Sequence, residues 1–216
     1  MVRLVCGVGI NDIKGSAKKV NGKQVHFYTT WNKMLVRCYS EKYQQEYPTY
    51  KGCYVCDEWL TLSNFKEWYD KQYYVSKFHL DKDILVPSNK VYSPETCRFV
   101  PSDVNHLLKD GQGGNIAGYL IGVRSSTSAG KPYRLSVNSN STNLCHKKYK
   151  QLKIPCTYET EQQAHEVHRY IKSEVIKDVV DQLDIDHPKL DPLISEALLL
   201  RAEKLLDFNL KYEDFM

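Results

Sequence analysis

The run Lys109-Asp-Gly-Gln-Gly-Gly-Asn115 carries three glycines and no large apolar side chain. Such a run resists both helix and strand and has nothing to bury, so it reads as a linker. With 216 residues, 42% of them hydrophobic, the chain can bury one substantial core or two small ones. The linker favours two. The expected organisation is a first domain over 1–109, a Gly-rich linker at 110–115, a second domain over 116–183 and an acidic helical segment over 184–216.

Periodicity then assigns the elements. Trp31, Met34, Leu35 and Cys38 recur at helical spacing, which predicts an amphipathic helix from Thr29 to Lys42. Cys53 to Trp59 reads as a short strand or a turn, and Ser63 as the cap of a helix through Phe65, Trp68 and Tyr69. Phe78 to Val86 alternates enough for a strand. After the turn at Pro87 to Lys90, a return strand is expected through Val91-Tyr92 and Cys97 to Val100. Ser102 is expected to cap a short helix to Leu108. Beyond the linker, Tyr119 to Arg124, Tyr133 to Val137 and the stretch Ile154 to Tyr158 read as three short strands. Thr160 and Gln163 form a capping-box signature opening a long helix. Asp186-His-Pro188 ends it, and Pro192 starts a last amphipathic helix to Leu206. The fold class is α+β.

Charge is unevenly spread. The formal net charge is only +4, yet 111–158 contains no Asp or Glu, while Arg124, Lys131, Arg134, Lys147, Lys148, Lys150 and Lys153 all fall there. The acids gather after Asp178. A cationic block beside an acidic one is suited to a phosphate backbone. Sixteen tyrosines against 6 phenylalanines lean mildly toward polar partners, although half-buried rings in a small domain account for them more plainly.

Met1 to Ile10 does not read as a signal peptide, and no apolar run approaches the roughly 20 residues needed to span a bilayer. Seven cysteines, an odd number, point to reduced thiols or metal ligands rather than a disulfide scaffold. A soluble cytoplasmic protein without a membrane partner is expected. Cys53 and Cys56 have the spacing of a structural zinc half-site that Cys38, Cys97 or Cys145 could complete, but buried free thiols are the default. His165 and His168 read as surface or half-buried residues.

The string from Leu80 to Val100, with Asp81-Lys82-Asp83 and Tyr92-Ser-Pro-Glu-Thr-Cys97, resembles the phage-type branch of the HNH endonuclease family. Trp31-x-x-Met34-x-x-Arg-Cys-Tyr39 and Val55-Cys-Asp-Glu-Trp59 with Asn64-Phe65 match the same branch. The resemblance covers roughly Gly7 to Leu108. It implies a β-hairpin folded onto a helix around one divalent cation, Mg²⁺ or Mn²⁺, that stabilises charge on a scissile phosphate. Asp81 would then be one metal ligand and Asn105 the second, with His106 a nearby alternative. Where the family usually has a histidine as general base, this chain has Lys82. A lysine at its ordinary pKa is protonated at neutral pH and cannot take a proton from water, though it can assist at the phosphate. His79, two residues before Asp81, shares its strand face by period-two geometry and is the candidate base.

The segments Ala117 to Arg124, Pro132 to Val137 and Tyr158 to Lys172 resemble the APETALA-type DNA-binding domain, a three-stranded sheet on one helix whose sheet enters the major groove. Pro155 to Tyr158 stands where that family usually has a Gly before the third strand's aromatic residue. Arg124 and Arg134 would read or clamp DNA with Tyr133 packed beside them, and Lys147, Lys148, Lys150 and Lys153 would form a flexible cationic loop on the backbone. The resemblances imply a homing-type endonuclease acting on double-stranded DNA in the host cell of a bacteriophage. The alternative is a non-catalytic DNA-binding regulator or anti-defence protein built on a degenerate HNH module. A third reading is a zinc-stapled interaction protein whose acidic tail meets a basic partner.

Overall fold

The computed structural model describes residues 4–15, 19–20, 23–75, 77–108, 118–136 and 144–210. It is a mixed α+β chain with small separate sheets. Two compact units emerge, Met1–Val100 and Pro101–Met216. The expected linker at 110–115 lies outside the described residues. The division falls earlier, so the short helix expected to close the first domain groups with the second unit.

The first unit begins with the antiparallel pair β1 (Lys19–Val20) and β2 (Lys23–Gln24). Helix α1 (His26–Tyr39) starts three residues earlier than its apolar spacing predicts. It buries Tyr28, Trp31, Met34, Leu35 and Cys38 along one face. The Trp31 indole donates to the Trp59 carbonyl at 2.7 Å, so the ring is anchored as well as packed. The N-terminal segment approaches α1 closely at Gly9, where a Cβ would stand 2.4 Å from Leu35 Cδ1. Helix α2 (Glu41–Glu46) is capped by Ser40, whose hydroxyl accepts from the Tyr43 amide. A 3-10 turn at Pro48–Tyr50 leads to β3 (Tyr54–Val55), and a second at Asp57–Leu60 to α3 (Leu62–Asp70). Thr61, not Ser63, occupies the N-cap position. The Ser63 amide is instead held by Asp12 Oδ1 at 3.0 Å, a partner too distant in sequence to anticipate.

Strand β4 (Phe78–Asp81) stops five residues short of the expected Val86. The cause is local: Asp81 Oδ1 accepts from the amides of Asp83 and Ile84, both at 2.7 Å, and turns the chain out of the ladder. Strand β5 (Val91–Tyr92) does not return along β4. It pairs in parallel with β3, Tyr54 opposite Val91 and Val55 opposite Tyr92. The partner of β4 is β6 (Arg98–Pro101). Many tyrosines are structural here: Tyr39 Oη accepts from the Val55 amide, and Arg37 lies 5.5 Å from the centre of the Tyr50 ring.

The second unit opens with α4 (Ser102–Leu108) and contains a three-stranded antiparallel sheet, β7 (Val123–Ser128), β8 (Lys131–Leu135) and β9 (Thr157–Tyr158), in that order. Between β8 and β9 lies α5 (Leu144–Gln151), and after β9 come α6 (Glu161–Asp186) and α7 (Pro192–Leu206). Thr160 and Gln163 form the capping box that the sequence predicts, and Asp191 with Pro192 starts α7 as expected. Val123 and Leu135 pack on Ala164, Ile171 and Val175 of α6, with Tyr133 and Tyr158 alongside. Gly122, at φ +81°, lies where a Cβ would enter the His168 ring. Helices α6 and α7 are joined through Arg169. Its guanidinium donates to the carbonyls of Lys204, Leu205, Asp207 and Leu210 at 2.8–3.0 Å and lies over Phe208.

Two expectations are corrected in this unit. The lysines expected in a flexible loop are largely on α5, where Lys148 is held by both carboxylate oxygens of Asp178, at 2.8 and 2.7 Å. His165 is buried rather than superficial, with Nδ1 2.8 Å from the Ile121 carbonyl.

Candidate metal hairpin and nucleic-acid interface

Alternation along β4 positions the first set of residues. Phe78 and Leu80 are buried, His79 is exposed and Asp81 half-buried, so His79 and Asp81 share the outer face of the strand. Asp81 uses Oδ1 for its turn, which leaves Oδ2 as its oxygen for a cation. Asp81 belongs to the first unit and Asn105, half-buried on α4, to the second. Exposed His106 spends Nδ1 on the Ser102 carbonyl. A carboxylate and an amide oxygen are hard donors of the kind Mg²⁺ and Mn²⁺ take, with water or phosphate filling the remaining positions. Asp81 in the first unit offers one such donor.

Lys82 lies differently from what its motif position implies. It is buried, continuing the inward row of Phe78 and Leu80. Its ammonium donates to both oxygens of Asp83 at 2.7 Å and to the Asn89 carbonyl. Asn89 answers through its side chain, donating to the carbonyls of Lys82 and Val91 and accepting from the Val91 amide. Lys82 is thus an internal clasp of the 82–91 loop, directed away from the face that carries Asp81. Burial pushes the Asp83 carboxyl above its ordinary range, and the Lys82 ammonium opposes that shift.

The cysteines behave as packing residues. Cys38, Cys53 and Cys97 are buried free thiols, and burial pushes Cys38 and Cys97 up to about 12. Among the described residues no group of three or more His, Cys, Asp or Glu side chains is placed to hold a metal ion. Nothing in the arrangement supports zinc at Cys53 and Cys56.

The second set of residues lies on the three-stranded sheet. Its register puts Arg124 opposite Arg134, and Thr157 next to Arg134 on β9. Opposed residues of an antiparallel pair project from the same face. The neighbouring rows, Val123 with Leu135 and Ser125 with Tyr133 and Tyr158, project from the other face, toward α6. Both arginines are exposed. Tyr133, expected beside them, instead packs on the helix side, edge-on to Tyr119 at 6.2 Å. Lys147, Lys150 and Lys153 are exposed, and Lys148 is neutralised by Asp178. Exposed Lys131, counted in the cationic block but not among the expected DNA contacts, joins the set through its place at the β7–β8 turn.

The two sets offer different chemistry. The β4 face carries the Asp81 carboxylate and the His79 imidazole. The sheet face presents two guanidinium groups that can fork to phosphate or to a guanine edge. No known protein family, curated protein or solved structure matches the chain.

Proposed function

We propose that this chain binds double-stranded DNA through the free face of its three-stranded sheet and hydrolyses DNA phosphodiesters at the β4 face. The observation that carries the reading is the cross-strand pair Arg124–Arg134. Like charges directly opposite on a sheet destabilise it, and their Cβ atoms are only about 5 Å apart. An exposed arginine pair therefore favours an anion between or across the two groups, and a phosphate backbone supplies a row of them. Asp81 would be the first unit's ligand to Mg²⁺ or Mn²⁺, which would supply charge stabilisation at the scissile phosphate. His79, on the Asp81 face, takes the proton from the attacking water. Lys82 takes no part beyond holding the loop.

The test combines two assays. Supercoiled plasmid is incubated with Mg²⁺, Mn²⁺ or EDTA, beside the Asp81→Ala variant. Metal-dependent nicking or linearisation that the variant loses supports the hydrolytic site, and equal cleavage by the variant overturns it. Duplex binding is followed by anisotropy across a salt series. Each lost phosphate contact lowers the log–log salt slope by roughly 0.9, so Arg124→Ala/Arg134→Ala is expected to lower it by nearly 2. An unchanged slope and affinity would remove the sheet from the interface.

A second reading has one observation in its favour. The position at which the HNH pattern usually carries its base holds Lys82, turned inward and committed to Asp83 and Asn89. DNA binding without metal-dependent cleavage would select a non-catalytic DNA-binding regulator.

A further inference from the structure

The first unit contains a column of rings that runs from its core to solvent. Trp68 lies on Phe99 with centroids 5.8 Å apart and planes at 24°. Phe99 meets Tyr74 at 5.3 Å and 34°, and Tyr74 meets His26 at 5.1 Å and 10°. Trp68 is half-buried and Phe99 buried, and outward from Phe99 exposure rises through half-buried Tyr74 to exposed His26. The outer ring is fixed rather than free to rotate. Its Nδ1 is 2.6 Å from the Tyr69 hydroxyl, one face lies on Tyr74, and Tyr69 and Phe99 crowd its edges at 5.8 and 6.3 Å. Burial, then the electrostatic influence of Lys33 and His79, hold the His26 imidazole below its ordinary pKa, which favours the uncharged ring. Lys33 follows two turns along the same side of α1, and His79 is on the face that carries Asp81.

A rigid π-face that ends in solvent with the Lys33 ammonium beside it has the makings of a base-stacking site. Every nucleobase can stack on such a ring, and an adjoining phosphate meets the lysine. A paired base inside a duplex cannot offer its face, so the ligand is a base that has left the helix. We infer that His26 is the outermost step of a stacking platform for an unpaired DNA base beside the β4 face. This deepens the proposed function and rests on that reading for its place in a cleavage reaction. The platform takes the base next to the scissile bond once the duplex is nicked or opened, which holds the strand against the hydrolytic face. The duplex remains the business of the sheet arginines.

The probe is a short single-stranded DNA carrying one 2-aminopurine, titrated into the full chain, with a duplex of the same sequence as control. Stacking of that base on a ring quenches its emission. Wild type is expected to quench it, and His26→Leu, which keeps the volume but has no π-face, is expected to lose the quench. The variant should also bind the single strand roughly tenfold more weakly while binding the duplex as before. His26→Phe restores the ring without the imidazole hydrogen bond and is expected to restore the quench. Undiminished quench in His26→Leu overturns the inference, as does equal weakening toward single strand and duplex. Asp81→Ala separates the two readings. If that variant still cleaves while His26→Leu loses the quench, the platform stands and the hydrolytic assignment falls. If it loses cleavage while His26→Leu quenches normally, the hydrolytic site stands and the platform falls.

Discussion

Replacing Lys82 by Met keeps the side-chain stem and deletes the ammonium. The lysine side chain is 8% exposed, whereas that of Asp83 is 44% exposed. The two contacts to Asp83 are therefore shared with water and contribute below about 1 kcal/mol. The Asn89 carbonyl lies inside the loop and loses its charged donor, which costs about 1.5–2 kcal/mol. The sum is a destabilisation of about 2–3 kcal/mol. Urea unfolding followed by tryptophan emission reads the first unit alone, because Trp31, Trp59 and Trp68 all lie there. For about 100 residues a urea slope near 1 kcal/mol/M turns that loss into a midpoint lowered by about 2–3 M. The deficit also has a pH signature. A carboxyl whose folded pKa is raised contributes stability below its unfolded pKa and loses it as pH rises through the folded value. Burial raises Asp83, Lys82 opposes it, and the variant removes the opposition. The variant's deficit should then be greatest at neutral pH and shrink toward pH 4. An unchanged midpoint with abolished cleavage would refute this reasoning and return Lys82 to the phosphate.

Two further outcomes follow from the second unit. Arg169→Met removes four hydrogen bonds to carbonyls in the last turn of α7 and just beyond it, and the contact with Phe208, at a cost of about 3–4 kcal/mol; faster hydrogen exchange along α7 is expected, and undiminished protection there would count against the arginine's role. Lys172 is 3% exposed, and burial holds its pKa down to about 7. The unfolded chain therefore binds more protons from about pH 7 to 10, and stability climbs with pH across that window by up to about 1.4 kcal/mol per unit. Melting temperatures between pH 7 and 9.5 should rise more in wild type than in Lys172→Met, and parallel curves would exclude Lys172 as the source.

Features encoded within a few residues were legible in the sequence. The Thr160–Gln163 capping box and the Pro192 start of α7 rest on local spacing, as does the presence of three strands before α6, although the first of them, expected at Tyr119 to Arg124, lies at Val123–Ser128. Partners from afar were not legible. Asp178 converts Lys148 from a free cation into half of an ion pair, and nothing near Lys148 announces it. The parallel pairing of β3 with β5 and the hold of Asp12 on Ser63 are of the same kind. At the hairpin, motif position competed with periodicity. Read by its motif, Lys82 belongs beside Asp81 at a phosphate. Read by period two, it belongs in the inward row of Phe78 and Leu80, and that simpler signal pointed the right way. Likewise Tyr133 stands an odd step from Arg134, which was enough to assign it to the helix side of the sheet. The ring column ending at His26 has no sequence signature, because its four members come from three separated stretches, around His26, from Trp68 to Tyr74, and at Phe99.

The pairing of β3 with β5 bears on how the first unit assembles. The segment between the two hairpin strands is pinned at its middle to a strand that precedes both of them, and the Tyr39 hydroxyl ties that strand to α1. Mechanically the loop is a cross-brace, not a free connection. The hairpin therefore cannot close as a self-sufficient early event: a long loop must first be ordered, which slows folding and makes it depend on distant contacts. A fragment carrying only residues 78–101 would keep the loop but lose β3, to which it is pinned, and α1, and would not hold the Asp81 face in shape.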